Sequence, residues 1–453
     1  MRILIKAFLL FLITAVAYPQ KTLTLDEAIN IALQKNSDLK KSTNTLKSYE
    51  SGLLASYGNL LPSLSASGSW SWGRTEDEGT TYNQFGFTYT SAPSVTESRN
   101  YRANVNANWT LFDGLANIAG VSQSKNNLES ARLSLERLKQ DIVFQTISYY
   151  YNVINTGELL KVKEDDVRQA QQNLETITER NKLGAVTLAD VYAQQVTLGN
   201  AELDQIRTKN DLETAKTNLL YYLGLDVFDS YAFPDTVSIE GLDVLRNKLT
   251  EQSDSLSVLV SSAMDNRFDY KSALLNLESA DDNITIARSG HFPRLTNSIG
   301  FSSEANSFNK LFASKSYSVG LTLSVPIFSG FSVSNQVEIA TVNAKNQQVV
   351  VSDLEREIKR NIQKTFLDLQ AAEKSLNVSE KNVQSAGENF KIQQEKYSLG
   401  SSNLLDVLTA TTNYTNARVA YINSQFSYIV LTEQLKYYTG VLDYKKYELE
   451  EKN

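Results

Sequence analysis

The chain contains the same landmarks twice at a constant distance. The segment NWTLFDG at 108–114 corresponds to SVPIFSG at 324–330. The residue pairs separated by 216 positions are Gly114 and Gly330, Asp190 and Asp406, and Gly224 and Gly440. Upstream the distance is 231, as between Pro62 and Pro293, so the first copy carries about 15 additional residues after Pro62. A duplication with one change of length predicts two equivalent structural units, one of them with a longer loop.

Composition restricts the kinds of protein that this chain can be. Its 453 residues include 6 prolines, one histidine and no cysteine, and the formal net charge is −7. The absence of cysteine excludes disulfides and thiolate metal sites, so we expect no metal and no cofactor. An acidic chain is a poor ligand for nucleic acid, and no nucleic-acid partner is expected.

The first residues have the pattern of an export signal. Arg2 and Lys6 precede an apolar run that ends in an A-x-A pattern at 15–17, which predicts a secretory signal peptide. After residue 17 no window resembles a 20-residue apolar span, so we expect no transmembrane helix.

Four segments alternate between apolar and polar residues, which predicts strands with one apolar face. They lie at 63–72, 101–111, 295–302 and 317–325. We expect a hairpin at about 62–113 with a long tip at 74–100, and a second at about 293–328 with a short tip. Strands of 9–11 residues match a tilted membrane crossing. Four strands cannot close a barrel and lipid does not tolerate open sheet edges, so the barrel must be shared between subunits.

Aromatic residues near the ends of these strands are expected at the membrane interfaces. They are Trp70, Trp72, Tyr101, Trp109, Phe112, Tyr317 and Phe328.

The segments between the hairpins favour long helices. No proline occurs between Gly114 and Leu183, and a helix from about 115 to 182 would be roughly 100 Å long. Heptad seams are visible from Leu128 to Tyr149 and again from Leu405 to Ile429. A capping box at 24–27 predicts another helix that runs toward residue 58. Each copy thus consists of a helix, a hairpin, a long helix and a further helix.

These elements predict the organisation of the chain. The expected parts are a signal peptide at 1–20, a first repeat at 21–222, a connector at 223–254, a second repeat at 255–443 and a C-terminal tail at 444–453.

With these elements in place, the chain resembles the outer-membrane efflux protein family of TolC-like channels. The resemblance rests on LDEAINIAL at 25–33, on the two Phe-x-Gly motifs and on YSLGSSNLLDVL at 397–408. It implies a mixed α/β membrane protein of a Gram-negative bacterium, in which a homotrimer forms a 12-stranded barrel in the outer-membrane lipid. A barrel of long helices would extend into the periplasm. Such a channel is the exit duct of a tripartite efflux pump or type I secretion system, together with a periplasmic adaptor and an inner-membrane transporter.

The resemblance also implies roles for two groups of residues. The adaptor-docking tips would be Lys182, Leu183, Gly184, Leu399 and Gly400. The residues of the periplasmic entrance would be Asp190, Tyr397, Ser402, Asp406 and Thr409, with the aspartates as carboxylate rings that attract cations. Ser402 occupies a position where an arginine can lie in the family, and Thr409 one where a second aspartate can lie. An arginine lock is therefore not expected there, and a hydrogen bond from Tyr397 to Asp190 is the remaining candidate contact.

Two other classes of protein agree with parts of the sequence less well. A secreted coiled-coil structural protein or adhesin accounts for the seams but not for the alternating strands. An enzyme is disfavoured because His291 is the only histidine and no carboxylate pair has a spacing that indicates acid–base catalysis. We therefore expect no catalytic residues, and the transported substrate is not indicated by the sequence.

Overall fold

The computed structural model describes residues 21–234 and 256–447. Its contacts form two compact units, each containing segments of both sequence copies. The helical unit takes its described residues from 1–43, 134–270 and 354–453, and the sheet unit consists of 44–133 and 271–353. This division cuts across the two predicted repeats, whose bounds remain a prediction. The predicted signal peptide, most of the connector and the last six residues of the tail lie outside the described residues.

Long α-helices make up most of the chain. They are α1 (Leu25–Lys35), α2 (Ser37–Gly58), α3 (Ala116–Lys182), α4 (Leu188–Leu223), α5 (Leu256–Asn266), α6 (Phe268–Arg288), α7 (Ser332–Ser398) and α8 (Leu404–Tyr438). Helices α3 and α7 each have 67 residues, or about 100 Å at 1.5 Å per residue. The helix predicted at 115–182 is confirmed. None of the helices within 21–234 and 256–447 has a stretch long and apolar enough to cross a membrane.

The predicted heptad seam agrees with the buried face of α3 but not with the start of α8. Leu128, Leu135 and Ile142 are all buried along α3, as the heptad pattern predicts. The seam is wrong at the start of α8, where Leu405 is 70% exposed and Val407 is 4% exposed. The buried face of the first turn of α8 therefore contains Val407 instead of Leu405.

Helix α1 begins at the predicted capping box. Thr24 Oγ1 accepts from the Glu27 N–H at 3.3 Å, and Glu27 Oε2 accepts from the Thr24 N–H at 3.0 Å. The prediction of one helix from here to residue 58 is wrong, since Asn36 leaves the helical conformation with ψ 127°. Asn36 Oδ1 accepts from the N–H groups of Asp38 and Leu39 at 2.9 and 3.2 Å. A second helix therefore starts with its own cap.

Two apolar clusters form the core of the helical unit around the middle of α3 and of α7. The first consists of Ile29, Val143, Ile147, Leu442 and Tyr444. The second consists of Ala263, Ile358 and Ile362. A short parallel pairing of β1 (Lys21–Thr22) with β6 (Tyr231–Ala232) joins the start of the described chain to the segment after α4.

The sheet unit contains an antiparallel four-stranded sheet in the order β2, β5, β7, β8. Its strands are β2 (Ser63–Asp77), β5 (Ser94–Phe112), β7 (Arg294–Ala305) and β8 (Ser316–Ser324). The four predicted strands are confirmed. The long tip at 74–100 is shorter than expected, because β2 and β5 remain paired as far as Asp77 and Ser94. The rest of the tip contains a small hairpin of β3 (Thr81–Gln84) and β4 (Phe87–Thr90).

The register gives this sheet one apolar face. Ala66 lies opposite Val105, Val105 opposite Phe301, and Phe301 opposite Tyr317. Several large side chains on this face are exposed, among them Val105 at 38%, Tyr317 at 74% and Val319 at 77%. The opposite face consists mainly of serine, threonine and asparagine, with Ser65 opposite Asn106. Successive side chains of a strand point to opposite faces, so the alternation in the sequence is the direct cause of this division.

Candidate functional site

Two equivalent turns end the long helices. Gly184 between α3 and α4 has φ 74°, and Gly400 between α7 and α8 has φ 75°, a left-handed conformation that suits glycine after a helix. The following N–H groups donate back into the helix ends, from Ala185 to Arg180 O and from Ser401 to Lys396 O, each at 2.9 Å. A side chain added at either glycine would have no heavy atom within 4 Å.

The turns expose apolar side chains. Leu183 is 84% exposed and Leu399 is 78% exposed, while Lys182 bonds Glu179 at 2.7 Å. The five residues predicted as docking tips therefore lie in or next to two equivalent turns, one at the end of α3 and one at the end of α7. Their role in docking stays a prediction.

Asp190 and Asp406 occupy the same position in the helices that leave the turns. Each is the third residue of its helix and closes a capping box, with Thr187 at the start of α4 and Asn403 at the start of α8. The Asp190 carboxylate accepts from the Thr187 N–H at 2.9 Å. The Asp406 N–H donates to Asn403 Oδ1 at 2.9 Å. A carboxylate in a first helical turn also stabilises the helix dipole.

Two further entrance residues lie near Asp406, Ser402 in the turn before α8 and Thr409 on α8. Ser402 Oγ is 2.9 Å from Asp406 Oδ2 and 3.1 Å from Gln393 Oε1. Thr409 is exposed one turn further along α8. Ser402 therefore orients the Asp406 carboxylate by a hydrogen bond.

Tyr397 does not make the candidate contact with Asp190. Its hydroxyl is buried and has no hydrogen-bond partner among the described residues, and the Asp190 carboxylate is held by Thr187 instead. The Arg180 guanidinium lies 5.0 Å from the centre of the Tyr397 ring, and Arg180 Nη1 is 3.5 Å from Tyr397 O. This cation–π contact joins the end of α3 to the end of α7.

The sequence interpretation did not identify Arg180. The duplication could have indicated this residue, because the position 216 residues later is also basic, Lys396. Both long helices thus carry a cation in their last turn. Cations are favoured at helix C-termini, where the carbonyl groups are unpaired.

The predicted interface aromatics fall near two ends of the sheet. Near the hairpin tips, Trp70 and Tyr101 have ring centres 6.5 Å apart. Near the helices, Trp109 Nε1 donates to Leu60 O at 2.9 Å. Tyr317 and Trp72 lie toward the tip end, and Phe112 lies beside Trp109. Phe328 follows β8 and packs edge to face on Phe331 at 5.6 Å. Within the two described ranges, no group of three or more acidic or histidine side chains could hold a metal ion.

The described residues thus combine long paired helices that end in equivalent turns with a four-stranded sheet that has an exposed apolar face. Known proteins share this combination of elements. The CmeC outer membrane channel of Campylobacter jejuni superposes with a TM-score of 0.79 at 19% identity, over 93% of this chain and 88% of that one. The outer membrane protein TolC of Salmonella enteritidis is 23% identical over 350 residues, 75% of this chain and 69% of TolC. The toluene efflux pump outer membrane protein TtgC of Pseudomonas putida is 20% identical over 423 residues, 92% of this chain and 82% of TtgC.

The sequence profile of the outer membrane efflux protein family matches residues 28–225 and 259–441. The chain belongs to that family. It is an outer-membrane exit duct of an efflux or secretion system. The resemblance, the fold class, the localisation and this function are thereby confirmed, in preference to a secreted coiled-coil structural protein or adhesin.

Proposed function

We propose that three copies of the chain assemble into a homotrimer whose sheets close a 12-stranded barrel in the outer-membrane lipid. The observation that carries the proposal is the pair of sheet edges. Within the described residues, β2 pairs only with β5, and β8 only with β7. Both edge strands carry exposed apolar side chains, with Leu64 at 75% and Val319 at 77%. Lipid does not tolerate unpaired backbone groups, so β8 of one copy pairs with β2 of the next.

The spacing of the aromatic residues supports a membrane crossing. Tyr101 and Trp109 are eight residues apart on β5, or about 26 Å along an extended strand. At a strand tilt of about 40° this distance projects to about 20 Å along the membrane normal, close to the apolar band of about 25 Å between the aromatic girdles of outer-membrane barrels. Trp70 and Tyr317 extend the outer girdle, and Phe112 and Phe328 the inner one.

The helical unit forms the periplasmic part of the duct in this proposal. An inner-membrane transporter supplies the energy and a periplasmic adaptor meets the tips, so the duct conducts substrates passively and catalyses no reaction. The exposed Leu183 and Leu399 next to Gly184 and Gly400 support this docking role, because a contiguous exposed apolar surface is typical of protein interaction sites. The two predicted repeats at 21–222 and 255–443 are then equivalent parts of one wall.

The entrance is proposed to lie just above the tips. Three copies of Asp190 and Asp406 would form carboxylate rings that attract cations, since their side chains are held in place by the caps. In the ring formed by Asp406, Ser402 orients the carboxylate by its hydrogen bond and Thr409 adds a hydroxyl one turn further along α8. The contact between Arg180 and Tyr397 holds the α3 and α7 ends together, and its release would widen the entrance.

Fractionation of the outer membrane tests the proposal. The expected product is a detergent-extracted trimer that migrates differently on gels before and after heating. A detergent-free soluble monomer would overturn it. Cysteines placed at Gly184 or Gly400 should cross-link to the adaptor, whereas a cysteine at the exposed mid-helix residue Leu203 serves as the control and should not.

A further inference from the structure

A polar cleft lies in the helical unit between α3, α4 and α8. It has a volume of about 320 Å³ and is lined by the charged residues Lys163, Asp166 and Asp204, by Gln194 and by several threonines and asparagines. The residues proposed above for the tips and the entrance do not line it. A cleft of this size and polarity is within the range of small-molecule sites.

Gln194 is the first indication of a ligand. The residue is 0% exposed, and its Nε2 donates to Ala170 O at 3.2 Å, which fixes the orientation of the amide. Its Oε1 is screened from solvent and has no hydrogen-bond partner in the described part of the chain. An unpaired buried acceptor costs free energy. A ligand with an N–H donor that enters the cleft and displaces the groups covering Oε1 would relieve that cost.

The charges around the cleft favour a cation. Lys163 Nζ is 3.0 Å from Asp204 Oδ2 but 3.9 Å from Asp166 Oδ2. Thr415 Oγ1 donates to Asp166 Oδ1 at 2.7 Å. Burial raises the pKa of Asp166 above its ordinary value, and the Thr415 hydroxyl and the nearby cations oppose that rise. Two carboxylates thus share one ammonium group inside the cleft.

Two arginines outside the cleft also act on its carboxylates, and the charge of Arg418 lowers the pKa of Asp166. Arg418 is paired with Asp165 at 3.0 Å. Arg207 is 3.9 Å from Asp204 Oδ1, but its side chain is 76% exposed and solvated. Neither arginine lines the cleft.

The duplication provides an internal comparison. Positions 216 residues after Lys163, Asp166, Gln194 and Asp204 are Ser379, Asn382, Ala410 and Ala420. All four side chains have lost their charge or amide, and Ala410 is only 2% exposed. The fold therefore accepts a methyl group at the position equivalent to Gln194 in the second copy. Packing alone does not account for the polar residues that line the cleft in the first copy.

We propose that this cleft binds a small organic cation with an N–H donor, such as an alkylammonium ion, between Gln194 Oε1 and Asp166. A metal ion is disfavoured because the Lys163 ammonium group already lies between the two carboxylates. The site goes beyond the proposed duct, since its occupancy requires neither an adaptor nor passage of a substrate.

Isothermal titration of the full chain in detergent tests this site, with butylammonium as the probe and tetramethylammonium, which lacks an N–H donor, as its control. Butylammonium should bind at least about tenfold more tightly. Gln194→Ala should weaken its binding about three- to tenfold, the effect of one hydrogen bond. Gln195→Ala, at the exposed neighbouring position on α4, should leave the binding unchanged.

Two charge variants keep the test decisive if Gln194→Ala fails to fold. Asp166→Asn should weaken butylammonium binding at least about tenfold, and Lys163→Met should tighten it because a competing cation is removed. Absence of binding to the wild-type chain, equal binding of the two probes, or weaker binding by Lys163→Met would overturn the proposal.

Discussion

Removal of the Arg180 side chain should shift the entrance toward its open state. The guanidinium lies over the Tyr397 ring at 5.0 Å and is partly buried, so the contact contributes about 0.5–1 kcal/mol per copy. Opening of a trimer would release three such contacts, or about 1.5–3 kcal/mol in sum. Since about 1.4 kcal/mol is a factor of ten in an equilibrium constant, Arg180→Ala should raise the ratio of open to closed channels roughly ten- to a hundredfold.

Single-channel recording in planar bilayers measures this ratio without an adaptor. Lys182→Ala is the matched control, because Lys182 lies in the same helical turn but bonds only the exposed Glu179 in the structure. The control should retain the wild-type distribution of conductance states. If Arg180→Ala and Lys182→Ala give the same distribution as the wild type, the contact does not hold the entrance closed.

Three further variants test other parts of the structure. Asp406→Asn should weaken block by divalent cations in bilayers and, by weakening the α8 cap, lower the stability of the tip by about 1 kcal/mol; unchanged block would remove the carboxylate ring from the proposal. Gly440→Ala should lower the melting temperature more than Gly184→Ala, because both have positive φ but only at Gly440 would the new Cβ lie 3.0 Å from backbone atoms of Asn266 and Arg267; equal losses would contradict this. Burial raises the pKa of Asp269, but the buried Arg267 guanidinium outweighs burial and holds that pKa below its ordinary value. This stabilisation is complete above the unfolded-state pKa and is lost as the pH falls through the folded-state pKa, so Asp269→Asn should cost about 3 kcal/mol at neutral pH and flatten the acid limb of the stability curve; an unaltered acid limb would refute it.

The strands and long helices could be predicted because their signals are periodic and local. The serine alternation from 63 to 71 assigns every side chain of β2 to a face, and the constant distance of 216 positions carries helix bounds from one copy to the other. The break at Asn36 could not be read from periodicity. It depends on a side-chain oxygen that competes for backbone N–H groups, and asparagine does this only in some contexts.

The sequence indicated candidate entrance residues, whose role stays a prediction, but not the contacts that these residues make. Asp190 and Asp406 were found through the family resemblance, although TLAD at 187–190 and NLLD at 403–406 are themselves capping patterns that predict a structural role. The partner of Tyr397 depends on which helices pack side by side. That arrangement is set by tertiary contacts, so Arg180 and the unpaired acceptor of Gln194 appear only in the structure.

Cross-linking between the two edge strands tests the central claim, that copies of the chain close a shared barrel, most directly. The chain has no cysteine, so Ser67→Cys on β2 can be combined in turn with single cysteines at Ser316, Ser318 or Thr322 on the same polar face of β8. Oxidation in outer-membrane vesicles should join different chains at the position whose Cα atoms lie within about 7 Å, and give covalent dimers and trimers on denaturing gels. Monomers alone at every position, with thiols that remain reactive, would contradict the assembly.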